Sequence, residues 1–272
     1  MTTLIVGCGY VGTALAERLV RRERVLAMTR TPRALPEGVE PLVATLPAPE
    51  LRMPEGIRRV VYAVAPGART DDAYRLAYPE GLRSVLAALD RSRASLERII
   101  LVSSTAVYAE DEGRLVDSRT PFATGTAERI REAERDLADA STPTVVLRAS
   151  GIYGPGRDRI VREIREGRVP GDPCRVANRV HRDDLAAAIE HALFGELEAI
   201  SFDVSDDASV PMGEVFAWIA LKLGVELDAS ATAIGETLTG KRIDNTPLRA
   251  SGFTFRYPTY REGYGELITR GG

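Results

Sequence analysis

Along most of the 272-residue chain, short apolar runs alternate with segments whose apolar positions recur every three or four residues. Residues 4–6, 25–28, 59–65, 98–102 and 143–148 are runs of the first kind. Unbroken hydrophobicity over so few residues marks strands buried on both faces. Residues 11–22, a stretch through Leu76, Val85, Leu86 and Leu89, and residues 126–137 carry helical spacing instead. Asp71 or Asp72 stands where a cap for the second helix is needed. One weak strand, 40–44, lies in a proline-rich loop spanning 32–54. Strands and helices in alternation with short links predict an α/β fold built on a parallel, doubly wound sheet.

Beyond residue 157 the pattern loosens. Residues 157–178 are polar, with Arg162, Arg165, Arg168 and a Pro170-Gly171-Asp172-Pro173 break. Arg179-Val180-His181 returns to the sheet, and Asp183 or Asp184 caps a helix over 185–194. A strand at 201–205, a helix at 210–223, a late strand at 253–256 and a closing segment at 257–270 complete the pattern. The expected organisation is a core, 1–157, followed by a small lobe, 158–272, that returns to the core near 179–205.

A sign that the core, 1–157, binds a nucleotide follows the first apolar run. It stops at Gly7, and Gly7-Cys8-Gly9-Tyr10-Val11-Gly12 leads into the first helix. Strand, glycine turn and helix in that order is the context of a dinucleotide fingerprint. Gly7 permits the turn, Gly9 lets backbone approach a pyrophosphate, and Gly12 lets helix and strand pack closely. Tyr10 and Val11 open the helix, whose free N–H groups and dipole favour phosphate. At the end of the second strand, where a carboxylate would bind the ribose of NAD, the chain has Thr29 and Arg30, with Arg33 close by. A guanidinium there suits the 2′-phosphate, so NADP is expected rather than NAD. Ala63 and Val64, ending the fourth strand, and Ser103, ending the fifth, complete the expected cofactor contacts.

Composition narrows the function further. A net charge of −3 gives no reason to expect nucleic acid. Of the 36 basic residues only Lys222 and Lys241 are lysine, and the arginines form no cluster. Cys8 and Cys174 are too few for a disulfide framework, and with two His they show no metal-ligand spacing. No apolar stretch approaches membrane length and no leader pattern precedes the first strand, so a cytoplasmic protein without membrane contact is expected.

Three further motifs follow in order: Ser103-Ser104-Thr105-Ala106-Val107-Tyr108, Arg148-Ala149-Ser150-Gly151-Ile152-Tyr153-Gly154-Pro155-Gly156-Arg157, and Arg179-Val180-His181-Arg182-Asp183-Asp184-Leu185-Ala186. With the glycine loop they resemble the extended short-chain dehydrogenase/reductases, which include sugar-nucleotide epimerases and dehydratases. The resemblance is strongest to an atypical subgroup that begins Gly-Cys-Gly-Tyr-Val-Gly, and the stretch from Lys241-Arg242-Ile243 to Tyr257-Pro258-Thr259-Tyr260-Arg261-Glu262-Gly263 is similar to that subgroup as well. It implies a Rossmann-type sheet with a small C-terminal substrate lobe. It also implies that Ser104 bonds the substrate oxygen, that Arg179 points a basic group at the substrate, and that His181 ties the lobe to the core or borders the substrate. A homodimer is the assembly common in the family.

At the expected catalytic dyad the chain departs from the family. Aligning Ala133-Glu134 with the family's Ala-Glu puts Thr126 at the tyrosine position and Ile130 at the lysine position. Neither lysine has a tyrosine four residues before it, so no Tyr-x-x-x-Lys occurs anywhere in the sequence. Three routes remain open. Tyr108 or Tyr153, both leaving strand ends, donates the proton; substrate or water carries it; or the protein binds NADP without turnover. Arg129 as a cation in place of the lysine competes with a plain surface arginine. The expected function is an NADP-dependent oxidoreductase acting on a small carbonyl or alcohol. The alternatives are an epimerase, dehydratase or isomerase on the same fold, and a non-catalytic NADP-binding sensor or scaffold.

Overall fold

In the computed structural model, which describes residues 1–116, 119–197 and 200–270, the expected alternation is present from the first residues. In chain order come β1 (Thr2–Val6), α1 (Tyr10–Leu19), β2 (Arg24–Thr29), β3 (Val39–Val43), β4 (Ile57–Tyr62) and α2 (Asp71–Arg75). One π-turn (Leu76–Glu80) then precedes α3 (Gly81–Arg91), β5 (Arg98–Ser104), β6 (Glu112–Val116), α4 (Thr126–Ala138) and β7 (Thr144–Ala149). The second half holds β8 (Gly151–Tyr153), α5 (Arg159–Arg165), β9 (Arg175–Ala177), β10 (Arg179–His181), α6 (Arg182–Phe194) and β11 (Ser201–Val204). It ends with β12 (Val210–Pro211), α7 (Met212–Leu223), α8 (Ala229–Thr232), β13 (Thr239–Ile243), α9 (Thr246–Ala250) and α10 (Tyr260–Arg270).

The chain divides into two compact units, 1–107 with 122–148 and 185–202, and 108–121 with 149–184 and 203–272. The first carries a seven-stranded parallel sheet in the order β11-β7-β5-β4-β1-β2-β3, flanked by helices. β1 is central, pairing Leu4 with Leu26 on one side and with Val60 on the other. Every residue of β1 is buried, which is why its sequence is unbroken apolar or Thr rather than alternating. Leu15 and Leu19 of α1 and Leu82 and Leu89 of α3 are buried with it.

The second unit has no such large sheet. β8 and β10 pair in parallel as a two-stranded ribbon, and a four-stranded sheet runs β12-β9-β13-β6. β6 belongs here although it precedes residue 157, because its partner is β13, in parallel register. A core of Tyr153, Val161, Ile164, Phe216, Ile219, Tyr260, Tyr264 and Leu267 joins α5, α7 and α10.

Several local expectations are corrected. The cap before α2 is Thr70, whose hydroxyl accepts from Ala73 N, while Asp71 and Asp72 lie in the first turn. Residues 179–181 pair with β8 and not with the large sheet. Asp184 is no cap: it is buried, and its carboxylate accepts from the backbone N–H groups of Arg256 and Tyr257 at 2.8 Å each. For the same reason residues 253–256 form no strand, since a side chain has taken donors a ladder would use.

Candidate functional site

The glycine loop is fixed at both ends by backbone. Gly7 N and Cys8 N both donate to Met28 O, at 3.1 and 3.0 Å, tying the loop to the end of β2. Gly7 has φ +87°, and a Cβ there would stand 2.7 Å from Ala63 O. A Cβ on Gly12 would stand 2.8 Å from Gly7 O and 3.2 Å from Ile5 Cγ2, so helix and strand touch there. Beside Gly9 the nearest atom to a Cβ is Gly7 O at 4.0 Å, which leaves that side open. The three glycines thus divide into two that serve packing and one that leaves room.

Around the loop the other side chains are ordered by hydrogen bonds. Thr13 Oγ1 donates to Gly9 O at 2.7 Å, and Arg33 Nη1 reaches Cys8 O at 3.3 Å. Burial pushes the Cys8 thiol pKa up, against the opposing pull of Thr13 and Arg33, so Cys8 is a packed thiol. Tyr10 is half-buried and Val11 buried at the start of α1.

A cavity of about 440 Å³ opens at the C-terminal ends of β1, β2 and β4. Gly7, Thr29, Arg30 and Val64, named above as cofactor contacts, line it, and so do Thr45, Leu46, Ala65 and Leu76, which the sequence reading does not assign to the cofactor. Ala63 contributes its carbonyl against Gly7 and its N–H to Val6 O at 2.8 Å. Among the described residues no carboxylate lines the space, and Arg30 is the one charged residue in its lining. Arg30 is exposed and has no ion pair or hydrogen bond among the described residues. Thr29 turns its hydroxyl to Thr31 O at 3.0 Å. The open side of Gly9, the N-terminus of α1 and this cavity fit a dinucleotide. Gly7 to Gly12 would hold its pyrophosphate, and Thr29, Arg30, Val64 and Ala65 its adenosine half.

At the end of β5, Ser103 and Ser104 diverge. Ser103 is buried and donates to Glu134 Oε1 at 2.6 Å, so its hydroxyl faces the protein. Ser104 is half-buried, and its Oγ accepts from Ala106 N at 3.1 Å. Glu134 also takes Arg148 in a two-pronged pair, Nε to Oε1 and Nη2 to Oε2, each 2.9 Å, and Arg131 bonds Oε2 as well. In the sequence Glu134 serves only to set the alignment, although its place four residues after Ile130 puts it on the buried face of α4. That face consists of Ala127, Ile130, Ala133, Glu134 and Leu137. Thr126, aligned with the tyrosine position, is only half-buried at the first position of the helix. Arg129 is engaged at the surface by Asp71 and Glu132.

The remaining candidates lie in the second unit. Tyr108 donates to Asp203 Oδ2 at 2.7 Å and is fully buried. Tyr153 and His181 are register partners on β8 and β10, their rings 5.3 Å apart edge to face. Tyr153 is 5% exposed, and a Cβ on Gly263 would overlap its hydroxyl. His181 accepts from Asp183 N at 3.2 Å and packs against Tyr257; burial lowers its pKa, against the pull of Asp183 and Glu266. Arg179 is 3% exposed, with Nη2 3.4 Å from Met212 Sδ and its guanidinium 5.5 Å from the Tyr260 ring. Among the described residues no His, Cys, Asp and Glu cluster suits a metal ion, and no helix is long and apolar enough to cross a membrane.

Residues 7–196 match a family described as NAD(P)H-binding. No curated protein matches the chain. Among solved structures, one described as a candidate NAD-dependent epimerase/dehydratase from Methylobacillus flagellatus is 32% identical, with a TM-score of 0.81, over 99% of this chain and 98% of that one. MoeE5, solved with UDP-glucose and NAD, is 22% identical, with a TM-score of 0.75, over 100% of this chain and 99% of its own. The human epimerase family protein SDR39U1, solved with NADPH, is 19% identical, with a TM-score of 0.77, over 98% and 99%. The last two share the fold, and their ligands span both forms of the cofactor. The glycine loop, the cavity beside it and the match over 7–196 make this chain a member of the NAD(P)H-binding family.

Proposed function

We propose that the protein is an NADP-dependent oxidoreductase acting on a small carbonyl or alcohol. The observation that carries the choice of cofactor is Arg30, among the described residues the one charged side chain lining the cavity, with no carboxylate beside it there. A carboxylate there would bind a ribose hydroxyl and repel a phosphate, whereas a free guanidinium bonds the phosphate through charge. When bound, the nicotinamide supplies or accepts the hydride. Ser104, half-buried at the end of β5, offers its hydroxyl to the reacting oxygen. Tyr108 and Tyr153 serve the second unit's packing, because one hydroxyl is committed to Asp203 and the other is enclosed beside Gly263. Water or the substrate then carries the proton. The burial of both hydroxyls, with Ile130 buried where the resemblance would put a lysine, also favours a second function, an NADP-binding sensor without turnover.

Titrating the protein with NADPH and NADH tests the first part. Arg30→Ala should weaken NADPH by about ten-fold or more, the worth of a charge-assisted hydrogen bond, and leave NADH unchanged. Equal affinity of the wild type for both, unaltered by Arg30→Ala, would remove the case for the 2′-phosphate. NADPH oxidation over a panel of small aldehydes and ketones, with Ser104→Ala alongside, separates enzyme from sensor. Tight binding with no turnover on any of them selects the sensor.

A further inference from the structure

Arg179 and Asp206 lie side by side in the interior of the second unit. The Asp206 N–H donates to Arg179 O at 2.7 Å, so the two backbones touch. Both side chains are buried, Arg179 at 3% exposure and Asp206 at 2%. Their polar ends do not join. Arg179 Nη2 is 3.4 Å from Met212 Sδ, its guanidinium lies 5.5 Å from the Tyr260 ring, and Nη1 has no hydrogen-bond partner among the described residues. Asp206 Oδ1 accepts from Ala208 N at 3.2 Å, while Oδ2 has no such partner either. A guanidinium resting on sulfur and a ring face, with a carboxyl unjoined beside it, is the arrangement of a cation next to a neutral acid. An ionised carboxylate in the same place would draw the guanidinium in, because opposite charges removed from water are tolerated only as a pair.

The surroundings keep this acid close to its balance point. Burial raises the Asp206 pKa to about 7, Arg179 pulling it down and Asp207 and Asp184 pushing it up. From the other elements packed around it, Tyr153 of β8 and Tyr264 of α10 face it as phenols. Burial raises both above the ordinary phenol range, with Asp206 adding to each and Arg179 opposing. His181, two residues after Arg179 on β10, has its pKa lowered by burial and is neutral at pH 7. Among these described neighbours Asp206 is therefore the group that changes charge near neutral pH.

We propose that Asp206 and Arg179 form a proton-operated latch inside the second unit. With Asp206 neutral, the guanidinium rests on Met212 and Tyr260, the first residues of α7 and α10. When Asp206 gives its proton to solvent, Arg179 Nη1 closes on Oδ2 and the guanidinium leaves both helix starts. The latch stands apart from the cofactor reading and gives Arg179, which the resemblance points at a substrate, a task inside the lobe. The chain carries its own reporter. Trp218, its one tryptophan, packs edge to face on Tyr260 with ring centres 5.6 Å apart, so its emission reads the ring that the guanidinium leaves. Emission of the full chain is titrated from about pH 5 to 9, and crystals are grown at both ends of that range. Wild-type emission should titrate with a midpoint near pH 7, and Arg179 Nη1 should stand about 3 Å from Asp206 Oδ2 in the alkaline crystals alone. Asp206→Asn should hold the acid-form emission throughout. Arg179→Met removes the cation that favours ionisation, so its midpoint should rise by about one pH unit or more. A flat wild-type emission, a titration that survives in Asp206→Asn, or one position of Arg179 in both crystals overturns the latch. If Asp206→Asn fails to fold, Arg179→Met decides: an unmoved midpoint overturns it.

Discussion

Glu134 offers the sharpest test of how the first unit is held together. Its carboxylate is 4% exposed, its partner Arg148 is 9% exposed, and four hydrogen bonds from Ser103, Arg148 and Arg131 meet its two oxygens. Glu134→Gln keeps the shape and removes the charge that the buried Arg148 guanidinium faces. Breaking a buried pair from one side costs about 3–5 kcal/mol, because the stranded charge has lost water as well as partner. For a unit of this size that corresponds to a fall in melting temperature of roughly 10 °C. Replacing both partners together, as Glu134→Leu with Arg148→Met, should recover most of the loss, since an apolar pair of similar volume strands no charge. The pH dependence follows from the same geometry. Burial pushes the Glu134 pKa up, but Arg148, Ser103 and Arg131 outweigh it and hold the carboxylate below its ordinary range. A depressed carboxylate pKa contributes stability above the unfolded value of about 4.3, and that contribution is lost as pH falls through the native value. Calorimetric melting at pH 7 and across the acid range should therefore show a wide gap between wild type and Glu134→Gln that closes below about pH 4. A Glu134→Gln protein melting within about 2 °C of wild type at pH 7, or a gap that stays constant into acid, would refute the pair as a determinant of stability.

The glycine loop and a second buried carboxylate make two further tests. Gly12→Ala forces a Cβ against Gly7 O and should destabilise the fold by about 1–3 kcal/mol, whereas Gly9→Ala meets only open space, so it should melt like wild type and lose cofactor affinity. Urea unfolding and NADPH titration read the two effects separately, and a Gly9→Ala protein with full affinity would contradict the open side as the pyrophosphate site. Asp206 is buried with Oδ2 unpartnered; burial raises its pKa to about 7, Arg179 pulling it down and Asp207 and Asp184 pushing it up. The native state then keeps a proton that the unfolded chain releases near pH 4, so stability should fall between about pH 4 and 7 and flatten in Asp206→Asn. An unchanged pH profile in that variant would contradict the assignment.

The first unit was legible because its strands are buried on both faces and announce themselves as apolar runs. Gly7, Thr29, Arg30 and Val64 could be named for the cavity because a βα turn and the strand end after it have fixed places in such a sheet. Residues that meet only through tertiary structure were not legible. Glu134 looks like a surface residue of a charged helix until Arg148, fourteen residues on, comes to face it. Residues 253–256 alternate like a strand, yet Asp184, more than seventy residues earlier, takes two backbone donors at its end. Tyr108, Tyr153 and Arg179 were credible candidates at strand ends, and only the structure shows where their polar ends go.

The pairing of β6 with β13 bears on how the chain folds as it is made. The strands of the first unit are all available once residue 204 has emerged, and their pairings join segments close in sequence. The second unit cannot close its four-stranded sheet until residue 243 arrives to meet residue 116, a separation of more than one hundred positions. Contacts of that reach are slow to form because the intervening loop must first be ordered. During synthesis β6 therefore waits, as a strand with an unsatisfied edge, while the strands of the first unit pair. Exposed Leu115 on that strand is the residue most available to wrong partners in the interval.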